Sequence, residues 1–460
     1  MSWGMTQDAL SYVYRPSTQD GVQEVFKLAR DNGLSIGLRG AGRSYGDASL
    51  NSENICLDTS RMTRILDWDP VNGVIRVEPG VTIGQIWHYV VEDGWWPYVV
   101  SGTMTPTIGG AAGMNIHGKN NFRVGTIGDH IREFEILLPN GKIKRCTRVE
   151  NAELFFAAIG GFGMLGCFLS LTLELKKIYS GLMKVTPISV PNFRSMMDVM
   201  EERMHSADYL VGWVDCYASG FQSGRGLIHQ ADYLAPGEDP APARTMQVDY
   251  QELPDTFLFN LVPKSMLWRF MKPFVNAPGM RLVNHAKYHL SRLHNGEPPY
   301  QTHAAFAFLL DFVPNWKNAY KPGGLIQYQS FIPAANAEAT FKAELDLCRK
   351  YGQVPLLGVF KRHKPDPFLM THSLEGYSLA MDFKITKGNR EKVWNLASEL
   401  DRIVVAAGGR FYFAKDSTLS PHNLEAYRSE ERVKKFLALK KECDPNNLLQ
   451  TDLYRRIFKG

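Results

Sequence analysis

Two periods of apolar residues run along this chain, one near 3.6 and one of 2, and the places where they exchange mark out its elements. Between Ser17 and Asp31 the apolar positions Val22, Val25, Phe26 and Leu28 share a helical face, with Ser17 as N-cap and Gly33 as the stop. A strand is expected at Leu34–Leu38 and another at Val74–Val77; after Pro79-Gly80 a helix follows over Ile83–Val91. Phe134–Cys146 carries Pro-Asn-Gly between two alternating runs, which predicts a hairpin. Cys167–Leu175 alternates as a half-buried strand would. The first 178 residues therefore read as an α+β unit with glycines concentrated at strand ends.

The pattern changes after Ile178. A strand at Tyr209–Cys216 is followed by a Pro/Gly-rich stretch, Ala235–Ala243, and by an aromatic, basic one, Phe257–Phe274. That last stretch sets Leu258, Leu261, Met266, Leu267, Trp268, Phe270 and Met271 beside Lys264, Arg269 and Lys272. Core packing is its simpler reading and docking on an anionic membrane the other, with Pro263 and Pro273 confining any helix to the residues between them. Regularity returns as strand Leu325–Ile332, helix Ala335–Tyr351, strand Ser378–Ile385 and helix Arg390–Ala407. This is the rhythm of a sheet covered by helices on one face. No internal repeat or low-complexity tract is apparent.

Composition narrows the class. The chain has 460 residues, 44% hydrophobic and 22% charged, enough for about two or three domains. A net charge of +5 with interleaved signs favours small anionic ligands over nucleic acid, which is not expected as a partner. Six scattered cysteines without a C-x-x-C pair argue against a zinc site or dithiol, so no metal is expected and the thiols should be reduced. Met1–Tyr14 lacks the pattern of a signal peptide, and no apolar run approaches a membrane span. The expectation is a cytoplasmic protein, associated at most peripherally with a membrane, a periplasmic location staying open.

The chemistry concentrates in two glycine-rich loops. Arg39, Gly40, Ala41, Gly42, Arg43, Ser44, Tyr45, Gly46 and Asp47 follow a strand directly, and such a loop turns several backbone N–H groups toward one point, as a diphosphate requires. Ser101–Gly113 contains Gly102, Thr107, Ile108, Gly109 and Gly110 and leads into Asn115-Ile-His-Gly-Lys-Asn120. Two such loops suit a large, extended anionic ligand. Neither matches a P-loop nor a Rossmann fingerprint, which disfavours a nucleotide triphosphatase or an ordinary NAD enzyme.

These residues resemble the FAD-binding family of the vanillyl-alcohol-oxidase type, whose two phosphate loops are similar to Arg39–Asp47 and Ser101–His117. Within it the likeness is to enzymes that oxidise a polyprenylphosphoryl ribose in arabinan and cell-wall biosynthesis. It is carried by the runs Gly42–Asp47, Ile116–Asn120, Gly324–Gln329, Val359–Lys361 and Phe413–Asp416. The resemblance implies an α+β, two-domain fold. An FAD domain would comprise 1–178 completed by 405–460, and a substrate domain, an antiparallel sheet with helices, would comprise 179–404. Members with covalent flavin have a histidine where this chain has Arg43, so FAD is expected to be held non-covalently. The two loops, with Asn115, Ile116, His117, Phe168 and Tyr412, are the expected cofactor contacts.

The implied reaction is oxidation of the 2′-hydroxyl of a polyprenylphosphoryl-β-D-ribose to the 2′-keto sugar, the first half of a 2′-epimerisation. A separate NADH-dependent keto-sugar reductase would complete it. Hydride transfer leaves negative charge on a flavin ring, and Lys415 is the expected cation beside it. His117 is expected to orient the substrate hydroxyl or take its proton, with Tyr45 close to the ring. Lys119, Trp213, Gln327, Gln329, Lys361 and Ala380 are expected to meet a lipid-linked sugar phosphate; Gln327 and Gln329, two apart on a strand, share a face. Three positions depart from the resemblance: Ala380 for a cysteine, Asn318 for an arginine and His363 for an aromatic residue. The alternatives are a small sugar, alditol or aldonolactone oxidase of the same fold, and a flavin-binding protein without catalysis.

Overall fold

The computed structural model describes residues 1–257, 262–291, 299–422 and 430–459. A parallel three-stranded sheet, order β1-β3-β2, is built from β1 (Tyr12–Tyr14), β2 (Ile36–Arg39) and β3 (Ile55–Asp58). Helix α1 (Gln19–Asp31) covers it, burying Val22, Val25, Phe26 and Ala29 against Ile36, Ile55 and Leu57. Its cap is Thr18, whose hydroxyl accepts from Gly21 N at 3.1 Å. The expected cap, Ser17, stands one residue too early, and Leu28 lies on the outer face, 36% exposed. Truncating Phe26 here would cost about 3–5 kcal/mol, since it is fully buried.

The second sheet holds β4 (Ile65–Asp69), β5 (Val74–Val77), β6 (Trp95–Pro97), β7 (Ile131–Leu137), β8 (Ile143–Thr147) and β9 (Cys167–Lys177). Its order is β4-β5-β9-β7-β8 with β6 added along β9. The Pro-Asn-Gly hairpin forms between β7 and β8. β9 departs from the expected alternation, because as the central strand it is covered on both faces for most of its length. Helix α2 (Ile83–Val90) starts from a capping box: Thr82 Oγ1 accepts from Gln85 N at 3.1 Å and Gln85 Oε1 from Thr82 N at 2.9 Å.

The third sheet is antiparallel throughout, with β10 (Leu182–Val190), β11 (Tyr209–Val214) and β12 (Gly226–Tyr233) on one side. A small ladder of β13 (Thr256–Phe257) and β14 (Val262–Pro263) stands apart. β15 (Tyr300–Thr302), β16 (Leu325–Pro333), β17 (Leu357–His363), β18 (Gly376–Lys384) and β19 (Arg410–Phe411) complete the order β15-β10-β12-β11-β17-β18-β16-β19. Alternation gives it two different faces. Phe360, Leu379 and Met381 point into the core beneath the helices Phe193–Arg203, Ala334–Lys350 and Arg390–Ala406. Gln327, Gln329, Asp382, Ala380, Lys361 and Trp213 point the other way, into a cavity.

The chain's last part returns to its first. Ile36 N donates to Leu448 O at 2.7 Å and Gln450 N to Ile36 O at 2.9 Å, so Leu449 lies alongside β2. Arg456 holds both Asp47, at 2.7 and 2.8 Å, and Asp416, at 2.8 Å.

The aromatic segment after Phe257 is not a core element. Phe270 is 63% and Phe274 47% exposed, and the helix Leu267–Met271 buries no residue. Too few neighbours pack on it to cover these rings; Leu258 and Leu261 lie outside the described residues. Among the described residues no helix is long and apolar enough to cross a membrane and no group of side chains is arranged to hold a metal. All six cysteines are buried free thiols.

Candidate functional site

A cavity of about 470 Å³ lies between the glycine loops and the open face of the large sheet, within the ~300–1,000 Å³ usual for ligand sites. Its first wall is backbone. A Cβ on Gly40 would stand 2.0 Å from Thr107 Oγ1, so the two loops meet there only because Gly40 lacks a side chain, and one on Gly109 would stand 2.7 Å from Pro79 Cβ. Gly42 adopts φ +61°, a left-handed conformation, directly over the Arg39 guanidinium. Arg39 itself is fixed to Ser49 through its carbonyl and hydroxyl, both at 3.2 Å. Thr107 caps the short helix α3 (Ile108–Gly113), accepting from Gly110 N at 3.3 Å.

Of the residues expected to hold the cofactor, Arg39 to Tyr45, Gly102, Thr107, Gly109, Gly110, Ile116, His117, Phe168 and Tyr412 line this cavity. Four others stand behind it. A Cβ on Gly46 would meet Asp416 O at 1.9 Å, and Asp47 is taken by Arg456. Ile108 packs in the core, while Asn115 donates to Asp366 and accepts from Gly128 N. The wall suits an extended diphosphate-bearing group such as FAD: its glycines leave backbone accessible, and the buried Nε of Arg43 has no partner.

The second wall carries charge. Lys415 is held by backbone: Tyr45 N donates to Ala414 O at 2.9 Å, and Lys415 Nζ sits 4.0 Å from the centre of the Tyr45 ring. Residues Trp3 and Gly4 bind the same loop, through Trp3 N to Ser44 O and Gly4 N to Tyr45 O, and Gly4 O accepts from Leu325 N of β16. Glycine loop, C-terminal segment and large sheet are thereby tied together at Lys415.

His117 is buried at the cavity wall beside the rings of Phe331, His363, His372 and Tyr412. A chain of hydrogen bonds fixes its tautomer. Asn121 Oδ1 accepts from Lys364 N, so it is an oxygen, and His363 Nδ1, 3.0 Å away, must carry a hydrogen. His363 Nε2 then accepts from Ser378 Oγ at 2.7 Å. Ser378 Oγ in turn accepts from Gln329 Nε2 at 3.2 Å. The same amide nitrogen donates to His117 Nε2 at 3.3 Å, which leaves the imidazole hydrogen on Nδ1, facing Lys361 Nζ at 3.4 Å.

Burial controls the charges. It pushes His117 and His363 well below the ordinary imidazole range, with Lys361 the next contributor for both, and both rings are neutral. Lys361 is lowered to about 7 by burial and then by Lys415, and Lys119 to about 7 by burial and then by Lys361. A neutral Lys361 amine can accept the His117 Nδ1–H, so geometry and charge agree. Lys415 is lowered by burial and partly restored by Asp382, whose own carboxyl is raised by burial and restrained by Gln327 Nε2 at 2.5 Å.

Lys119, Trp213, Gln327, Gln329, Lys361, Ala380 and Lys415 all line the cavity, as expected of substrate contacts. The two glutamines are 9% and 7% exposed rather than solvated. Asp382, His229 and Lys287 line it too and were not singled out in the sequence. Asp382 was detectable as a carboxylate two residues beyond Ala380 on one strand face. The other two carry no local signal.

Residues 10–147 match the family described as FAD binding domain. The decaprenylphosphoryl-beta-D-ribose oxidase of Mycolicibacterium smegmatis is 28% identical over 99% of this chain and 96% of its own length. An uncharacterized protein of Streptomyces coelicolor is 25% identical over 82% of this chain and all of its own. The L-gulonolactone oxidase of Bos taurus is 26% identical over 38% of this chain and 39% of its own. The N-terminal part of the chain is an FAD-binding domain, and the chain takes its place among FAD-dependent oxidoreductases.

Proposed function

We propose that this protein oxidises the 2′-hydroxyl of a polyprenylphosphoryl-β-D-ribose to the 2′-keto sugar with non-covalently bound FAD. The observation that carries the reading is the set of Lys119, Lys361, Lys415, Gln327 and Gln329 around His117, at the junction of the glycine wall and the sheet wall. Likeness to the mycobacterial oxidase over nearly the whole chain supports it. The first 178 residues with 405–460 act as the FAD domain and 179–404 as the substrate domain.

Bound FAD supplies a two-electron acceptor. The residues of this chain do the rest. Gln327 and Gln329 hold the sugar hydroxyls on one face of β16. The Lys361–His117 pair takes the hydroxyl proton, His117 Nδ1–H keeping the amine oriented. Lys415 stabilises the negative charge that arises when the hydride has left the substrate carbon. Lys119 attracts the substrate's phosphate. Exposed Phe270 and Phe274 beside Arg269 and Lys272 suit the surface of an anionic membrane, where the lipid tail would lie. A separate NADH-dependent reductase would complete the epimerisation.

An anaerobic titration tests this. Bleaching of the flavin by polyprenylphosphoryl ribose, but not by free ribose, alditols or aldonolactones, is the expected result; bleaching by a free sugar alone would make the protein a small-polyol oxidase. Acid precipitation should leave the flavin in the supernatant.

A further inference from the structure

Beyond the sugar-facing residues the cavity continues outward over β11 and β12, and two basic side chains there are used by nothing described so far. Val211 and His229 face each other directly across these strands, and Val211, His229 and Trp213 all line the cavity. Lys287, from the helix Ala277–Ser291, reaches over the same place, its Nζ 4.5 Å from the centre of the Trp213 ring. Lys119 approaches from the other side, its ammonium donating to Phe306 O and, at 3.2 Å, to Ala307 O, which leaves one of its three donors free.

No carboxylate lies within ion-pair distance of Lys119, His229 or Lys287 among the described residues. Asp382 is the cavity's acidic lining residue among them, and it is on β18, three strands from His229. Lys119 and His229 are half-buried and Lys287 is exposed, so the three side chains present donors to this part of the cavity that an anion brought by a ligand can accept from. Burial, then Lys287 and Lys119, hold His229 down to about 4, so its ring is neutral and meets an anion as an N–H donor.

We propose that Lys119, His229 and Lys287 form an anion subsite that receives the phosphate of the substrate, and that this subsite selects phosphorylated sugars over free ones. It rests on the reading that the cavity takes a sugar phosphate. The position agrees with that chemistry. Lys361 on β17 and His229 on β12 are separated by two strand spacings, about 10 Å between backbones, with β11 between them, a span that a sugar phosphate held by Gln327 and Gln329 bridges. The ester's other substituent then leaves past Trp213 and Lys287 toward solvent.

The experiment uses the FAD-loaded protein and inorganic phosphate as the probe, followed by difference absorbance of the flavin and by calorimetry. His229→Gln and Lys287→Gln should each weaken phosphate binding about tenfold, while Lys287→Arg retains most of it; flavin content and circular dichroism establish that the variants are folded. With polyprenylphosphoryl ribose the same variants should lose specificity chiefly through KM. Absence of phosphate binding to the unmodified protein, or equal affinity in all variants, would overturn the proposal. Failure of every alcohol to bleach the flavin would instead refute the oxidase reading, and the phosphate titration would still decide the subsite.

Discussion

The two walls of the cavity work by different means. The glycine wall presents backbone, held open by what is missing: Gly40 and Gly109 are places where a single methyl group would collide with the opposite loop or with Pro79. The sheet wall presents side chains whose charges are buried and barely compensated, with Lys361 and Lys119 both pushed down to about 7. A backbone cradle recognises shape and a diphosphate whatever the pH, whereas a wall of depressed lysines changes its charge in the working range. Cofactor retention should therefore be insensitive to pH, and substrate handling sensitive to it.

The largest effect is expected in the glycine wall. Gly40→Val drives a branched side chain into Thr107, and the protein should purify folded but without flavin, read from the visible spectrum and from circular dichroism. Retained FAD would mean that the loops part more easily than their packing indicates.

Lys415→Met comes next, at the seam of the walls. Flavin content should persist while the rate of anaerobic flavin reduction falls about 10²–10³-fold, the usual cost of losing a group that stabilises developing charge. A rate within threefold of the original would remove Lys415 from the chemistry.

His363→Phe is a smaller and more discriminating change in the sheet wall. Ser378 loses its acceptor, Gln329 is released, and the Nδ1 tautomer of His117 is no longer enforced. We expect about a tenfold lower rate and a shifted pH dependence of flavin reduction. His363→Gln, which can still accept from Ser378, should recover part of both. A uniform loss without a pH shift would mean that His363 only fills space.

The smallest effect lies behind the sheet wall. Glu344 is fully buried; its Oε2 accepts from Ser330 Oγ at 3.1 Å, and its Oε1 has no partner. Burial raises its carboxyl from 4.5 to about 8. The fold therefore favours the protonated form, and the stability this gives is full below about pH 4.5 and lost as pH rises through about 8. Glu344→Gln should raise Tm by about 2 °C or more at pH 8 and change little at pH 5.

Much of the glycine wall was legible in the sequence, because a glycine loop is a local feature and its conformational demand is written where it acts. The strands and helices of the large sheet were also legible, their apolar periods being strong. His229 and Lys287 were not, since only the pairing of β11 with β12 and the placement of the helix Ala277–Ser291, which lacks a clear apolar stripe, bring them together. The segment from Phe257 misled for a related reason: a run rich in Trp, Phe and Met has the composition of a core, yet Phe270 and Phe274 are exposed. Thr18 rather than Ser17 capped α1 because either hydroxyl satisfies the sequence rule, and only the chain's entry angle chooses between them.

Central to the account is that one carbon, at the 2′ position, is held between Lys415 and the Lys361–His117 pair. The most direct measurement is the rate of anaerobic flavin reduction by polyprenylphosphoryl ribose carrying deuterium at C2′, compared with the unlabelled substrate and with one labelled at C3′. The account predicts a primary isotope effect for the C2′ label and none for C3′; a primary effect at C3′, or none at either position while reduction proceeds, would contradict it.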